Sequence, residues 1–365
     1  KERENDAFPF PWSEKSRIGL FATLSNLRYE IYSPMRLTIK LILILLAITL
    51  SLPFPAGAAD PNGEPLPYPE SLLEDLKSKD DSTRLSAIQA IKPFRETRSL
   101  PLLLAIVMED PNRQVRLQAV GALWNRGDSK AAKILEKVLV LDKDEDVRLA
   151  SAGALGDVGI KSTSSIFLVN TVQSSKDYAL IARCLRSLGK LGDHSSTNTV
   201  SGFLSQQYPS EVRGTAAEAL GLMGAENKVG ALIDTLEKDP DNTVRSIAAQ
   251  ALGRIASGNA TEPLVRILLF DSSDIVRYQS AEALGQLRMT SSIYDAFIEG
   301  LKDPDKRVRY TCLVYVSGRL KKEDTGAVAE LLSDERKGIR ELSHQTLSRR
   351  GIVMERIGDR YRLVE

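Results

Sequence analysis

The chain has 365 residues, of which 42% are hydrophobic and 6% aromatic, and 49 Lys and Arg stand against 48 Asp and Glu. A net charge of +1 with so few aromatic rings argues against nucleic acid as a partner, because phosphate binding needs a basic surplus or stripe and base stacking needs ring platforms. Removing the seven Lys/Arg and five Asp/Glu of residues 1–58 leaves 42 basic and 43 acidic residues in 59–365, which moves the balance further from a nucleic-acid binder.

Residues 1–34 lack the pattern found downstream and begin without Met; they are expected to be an upstream extension outside the native product, with Met35 as initiator. Residues 35–58 read as an export signal: a short basic start (Arg36, Lys40), an apolar core from Leu41 to Leu52, and the small-residue end Ala56-Gly57-Ala58. The expected mature start is Ala59 or Asp60, and the expected location periplasmic or secreted. The apolar run falls short of the about 20 residues that span a bilayer, so no stable insertion of the mature chain is expected. An uncleaved membrane anchor is the alternative. Residues 59–70, "ADPNGEPLPYPE", form a Pro-rich linker.

From residue 71 to 350 the chain repeats itself. The stretch "DPDNTVRSIAAQALGRIA" (239–256) has relatives aligned on Arg84, Arg116, Arg148, Arg213, Arg245, Arg277, Arg309 and Arg340, with Ile181 in the one missing slot. The spacings are 32, 32, 33, 32, 32, 32, 32 and 31 residues, so about nine units share one register. Each unit predicts two helices. The first ends at the Asp six residues before the Arg, often followed by Pro (Pro111, Pro240, Pro304), which forbids continuation. The second carries apolar or small residues at −1, +3, +4 and +7 from the Arg, one face at helical spacing; around Arg245 these are Val244, Ala248, Ala249 and Leu252. The small +3 residue is expected to admit a neighbouring helix. Gly at +8 (Gly156, Gly189, Gly221, Gly253, Gly285) reads as a left-handed helix end. Residues 351–365, "GIVMERIGDRYRLVE", alternate apolar and polar about Gly358-Asp359 and predict a β-hairpin that caps the last unit.

A 32-residue helix pair cannot bury its apolar face alone, but stacked neighbours bury it for each other. The fold class is therefore all-α, a right-handed α-solenoid of about nine two-helix repeats with a small C-terminal β-hairpin. Through the Asp at −6, the Val-Arg pair and the Ala-Leu-Gly, residues 70–350 resemble the HEAT repeat family, in particular the short repeats of phycobilin lyase subunits. The resemblance implies an inter-repeat ladder of Asp and Arg. Carried over, it pairs Asp110 with Arg116, Asp142 with Arg148, Asp239 with Arg245, Asp271 with Arg277, Asp303 with Arg309 and Asp334 with Arg340. Each guanidinium is expected to satisfy turn carbonyls and carboxylates of adjoining units through its five donors. The ladder departs from the pattern where Ser175 and Ile181 replace both partners and Gln207 replaces the next acid.

A search for chemistry returns little. The only histidines, His194 and His344, lie in distant units and form no metal cluster. No G-x-S-x-G or P-loop occurs, and no catalytic, metal or cofactor residue is assigned. Cys184 and Cys312 both occupy a +3 slot four repeats apart, about 40 Å at the thickness of stacked helices, too far for a disulfide. Three functions compete: a non-enzymatic scaffold binding a protein partner on its concave face, an enzyme or subunit like the bilin lyases, and an envelope-structural protein. The missing catalytic groups and the export signal favour the first, with the chain as a monomer. Positions +2, +5 and +9 of the second helices are expected to face the partner. They give Arg183, Arg186 and Lys190 in the unit without a ladder Arg, beside the small Ala150 and Gly153, and further along Gln250, Arg254, Gln279 and Glu282. The three cations are expected to dock an acidic segment in a recess; the plain alternative is a solvated helix face. Tyr278 and Tyr310 are the second choice.

Overall fold

A computed structural model describes residues 69–92, 94, 98–127, 129–358 and 360–364. The upstream extension, the export signal and nearly all of the Pro-rich linker lie outside the described residues. Nine helix pairs follow. The first helices are α1 (Ser71–Asp75), α3 (Leu100–Glu109), α5 (Ser129–Leu141), α7 (Lys161–Ser174), α9 (Thr197–Gly202), α11 (Val229–Lys238), α13 (Thr261–Phe270), α15 (Ser291–Gly300) and α17 (Thr325–Glu330). The second helices are α2 (Asp81–Ile91), α4 (Arg113–Arg126), α6 (Glu145–Val158), α8 (Tyr178–Leu191), α10 (Ser210–Met223), α12 (Asn242–Ile255), α14 (Asp274–Gln286), α16 (Lys306–Ser317) and α18 (Lys337–Ser348). Among the described residues no helix is long and apolar enough to cross a membrane.

The N-cap position of each second helix lies four residues before the ladder slot, and six of the nine fill it with a capping side chain. The side chains of Asp80, Asn112, Asp144, Asp177, Asp241 and Asp305 accept from backbone N–H groups of the first turn, filling donors that the helix leaves open. Of the expected core face, Val244, Ala248, Ala249 and Leu252 are all buried. Cys184 and Cys312 are buried and free, and burial pushes both thiols far up from their ordinary range.

The +8 glycines do not end helices. Left-handed residues follow several of these helices three residues beyond the +8 slot, among them Gly127, Gly192 and Gly224, each at φ 63°, and Ala256 at φ 57°. The glycines of Ala-Leu-Gly sit inside the helix because the next second helix comes so close. A Cβ at Gly189, Gly221 or Gly253 would lie 2.8 Å from the Cα of Ala219, Ala251 or Ala283. The Gly of one unit thus receives the Ala of the next, at +6. At the +3 residue the helix that comes close is the first helix of the same unit: a Cβ at Gly300 would meet the Cys312 Sγ at 2.5 Å. The second helices thus meet backbone to backbone from one repeat to the next.

The ladder pairing is shifted by one repeat from the expectation. Arg116 donates Nη1 to the carbonyl of Asp110 at 2.9 Å, but its Nε and Nη2 reach the carboxylate of Asp142, in the following unit, at 2.9 and 3.1 Å. The same holds for Arg84 with Asp110, Arg213 with Asp239, Arg245 with Asp271 and Arg277 with Asp303, all bidentate at 2.7–3.0 Å. Arg309 reaches Asp334 through Nε at 2.8 Å. Within a unit, Asp142, Asp239, Asp271, Asp303 and Asp334 offer Arg148, Arg245, Arg277, Arg309 and Arg340 their backbone carbonyls, at 2.8–2.9 Å. The acid also accepts the N–H two residues on, as Asp271 does from Ser273 at 2.8 Å. One Asp therefore closes its own turn and holds the preceding repeat. Two successive rungs are missing: Arg148 has only Glu145 at 3.8 Å for a carboxylate, and Ile181 is buried.

The chain ends in an antiparallel pair, β1 (Met354–Ile357) and β2 (Arg360–Leu363), with Met354 opposite Leu363 and Ile357 opposite Arg360. Gly358 takes φ 66° in the turn between them. Ile352, Met354 and Tyr361 pack on the core, and the Tyr361 ring stacks on His344 at 4.1 Å.

Candidate functional site

Three second helices, α4, α6 and α8, enclose a recess of about 520 Å³. Its apolar wall is Leu117, Trp124 and Leu149, its floor Gly121, Ala150 and Gly153, and its cationic wall Arg183, Arg186 and Lys190. The helical register brings these together, since +2, +5 and +9 share one face and the units stack in line. Small side chains at Ala150 and Gly153 leave the depth. Arg183 lies across Gly153, whose Cβ would sit 3.4 Å from the Arg183 Cδ.

The three cations are not equivalent. Arg186 pairs with Glu218 at 3.3 Å, and Lys190 with Asp157 at 2.9 Å. Arg183 is exposed and has no ion-pair partner among the described residues. The expectation of three open cations is thus corrected to one, because the neighbouring helices supply acids to the other two. Asp146, at the rim, pairs with Arg113.

Trp124 escaped the sequence reading. It is 49% exposed and stands at the +8 slot that glycine fills in five other units, which is the signal that could have found it. The other expected contact residues are spread along the array. Gln250 and Gln279 are half-buried and Arg254 is exposed. Glu282 accepts from the Thr311 hydroxyl at 2.9 Å and so is already engaged. Thr215, at the +2 position of its helix, is buried and donates to the Glu211 carbonyl. Tyr310 is exposed, and the Arg307 guanidinium covers the Tyr278 ring at 5.6 Å. Among the described residues no group of three or more His, Cys, Asp or Glu is placed to hold a metal ion.

No curated protein matches the chain by sequence. Solved structures to which the chain is similar include the complex of CpcE and CpcF of phycocyanin lyase from Nostoc sp. PCC7120, at 22% identity and TM-score 0.38, covering 66% of this chain and 96% of that one. Yeast importin-beta (Kap95p) aligns at 14% identity and TM-score 0.55, over 79% of this chain and 46% of its own. Importin beta crystallised with ammonium sulfate aligns at 14% identity and TM-score 0.57, over 76% and 46%. The importin-beta likeness is one of fold alone. The model of HEAT repeats matches residues 69–159, 166–253 and 229–309, well over half of the chain, and the protein belongs to the HEAT repeat family.

Proposed function

We propose that this chain is a non-enzymatic scaffold, exported to the cell envelope, that docks an acidic segment of a protein partner in the recess between α4, α6 and α8. The observation that carries the reading is Arg183: an exposed guanidinium without an ion-pair partner among the described residues, in a recess that also holds a half-exposed Trp124. Binding surfaces concentrate their energy in such aromatic and Arg anchors. A partner carboxylate meets the Arg183 fork, and an apolar side chain beside it covers the Trp124 ring. Export rests on the order of basic start, apolar core and Ala56-Gly57-Ala58 from Met35.

The test is capture of a stoichiometric partner from an envelope extract by the mature chain. Arg183→Glu and Trp124→Ala should each abolish capture while leaving the thermal transition in place. Capture that persists in both variants, at low and physiological salt, rejects this site. Sedimentation with cell wall alone favours a structural role. N-terminal sequencing of the native protein should begin at Ala59 or Asp60; an intact residue 1 rejects export.

A further inference from the structure

The second feature that sets one place in the array apart is the pair of missing rungs. Where neighbouring units place Asp, Arg and Asp, this stretch has Ser175, Ile181 and Gln207, and the three line a groove of about 630 Å³ at the edge between the fourth and fifth repeats. That size lies within the range of small-molecule clefts, about 300–1,000 Å³. Helix α9 contributes to the opening. It has six residues where its neighbours α7 and α11 have fourteen and ten, so residues 203–208 run as turns, braced by Phe203 against Tyr208 with ring centroids 4.7 Å apart.

The lining has a specific chemistry. Gln173, Asn198 and Gln207 present exposed side-chain amides from both sides of the groove, and Thr199 adds a hydroxyl. None of these four side chains is hydrogen-bonded to another described residue. Tyr178 lines the groove and is 47% exposed. Lys176 is the only charged side chain in the lining. The corresponding edge around Arg245 and Arg277 is instead walled by Asp241, Asp274 and the two guanidinium groups. An anion would find one cation here, and a cation would find no carboxylate. A polyhydroxyl ligand matches the site on both counts. Each amide offers donors and an acceptor to neighbouring hydroxyl groups, and the apolar face of a pyranose ring covers an exposed tyrosine whose hydroxyl stays wet.

We propose that this groove is a binding site for a neutral oligosaccharide, with Tyr178 as the stacking platform and Gln173, Asn198 and Gln207 as the hydroxyl-reading groups. It stands apart from the docking recess and does not depend on it. The test is titration calorimetry of the full chain with cellotetraose, chitotetraose and maltotetraose. At least one should bind. Tyr178→Ala and Gln207→Ala should each weaken that binding by about tenfold or more, Tyr178→Phe should keep most of it, and Trp124→Ala should leave it unchanged. Unaltered thermal unfolding of the variants shows that a loss is local. Absence of binding to all three sugars overturns the proposal, as does binding that survives both Tyr178→Ala and Gln207→Ala.

Discussion

Arg245 shows what a single residue does for this array. Its guanidinium donates to the carbonyl of Asp239 at 2.9 Å and takes the Asp271 carboxylate of the next repeat in a fork at 2.9 and 3.0 Å. Both side chains are largely shielded from water. Arg245→Ala leaves the Asp271 charge with only the Ser273 N–H, and should cost about 3–5 kcal/mol in urea unfolding, the range for breaking a buried pair. Arg245→Lys should recover little, because an ammonium cannot reproduce the fork. A loss below about 0.5 kcal/mol would place the Arg among ordinary surface residues. A second residue-scale prediction concerns acid. The Arg307 guanidinium, together with backbone N–H groups at the start of α16, holds the Asp305 carboxyl at about 2, below its ordinary 3.8. Because the folded value is the lower one, the stability contributed by the ionised cap is complete above 3.8 and is lost as pH falls toward about 2. Urea midpoints should therefore drop less across that window in Asp305→Asn than in the parent. Parallel curves would show that the cap carries no such linkage.

At the scale of the element, the Ala-Leu-Gly of each second helix sets how near the next one lies. Gly221 faces Ala251 so closely that even one methyl must displace backbone, with Cα and Cβ both 2.8 Å from the new Cβ. Gly221→Ala should destabilise by about 1–3 kcal/mol, the usual cost of overpacking. Gly230→Ala in α11, where nothing lies within 4 Å, should be neutral or stabilise by up to about 1 kcal/mol through helix propensity. Equal effects at the two positions would remove the close-approach explanation. This is also where the sequence misleads: the helical period marks Gly253 as the end of the buried stripe, so it looks like a cap, whereas the cap is Ala256. A glycine that ends a helix and one that admits a neighbour look alike in one dimension. The caps at −4 are legible in the sequence, since Asp or Asn recurs there in six units.

For the whole molecule, stacking raises the question of what covers the last face. At the C-terminal end it is the hairpin, through Ile352, Met354 and Tyr361. Hydrogen exchange should find paired amides protected in β1 and β2. Truncation after Arg350 should speed exchange in α18 first and leave α10 and α12 protected, because each repeat couples mainly to its neighbours. Unchanged protection of α18 would mean that the hairpin caps nothing. The candidate site was legible in part. Register placed Arg183, Arg186 and Lys190 on one face beside Ala150 and Gly153, but the same register also carries Glu218 and Asp157, which take two of the three cations, and spacing alone does not say which charges meet.

The sequence alone determined the unit, the number of units, the buried face and the gap at Ile181, because a strict period of about 32 residues with helical spacing inside it admits one kind of packing. Only the tertiary structure decided which partner each group takes. Arg116, Arg245, Arg277 and Arg309 each lie six residues from the acid of their own turn and 25 or 26 from that of the next repeat. Stacking then brings the distant carboxylate to the guanidinium, while the near Asp turns its carbonyl to it. Separation along the chain carries no record of that choice, because it is made by the fixed rise between repeats.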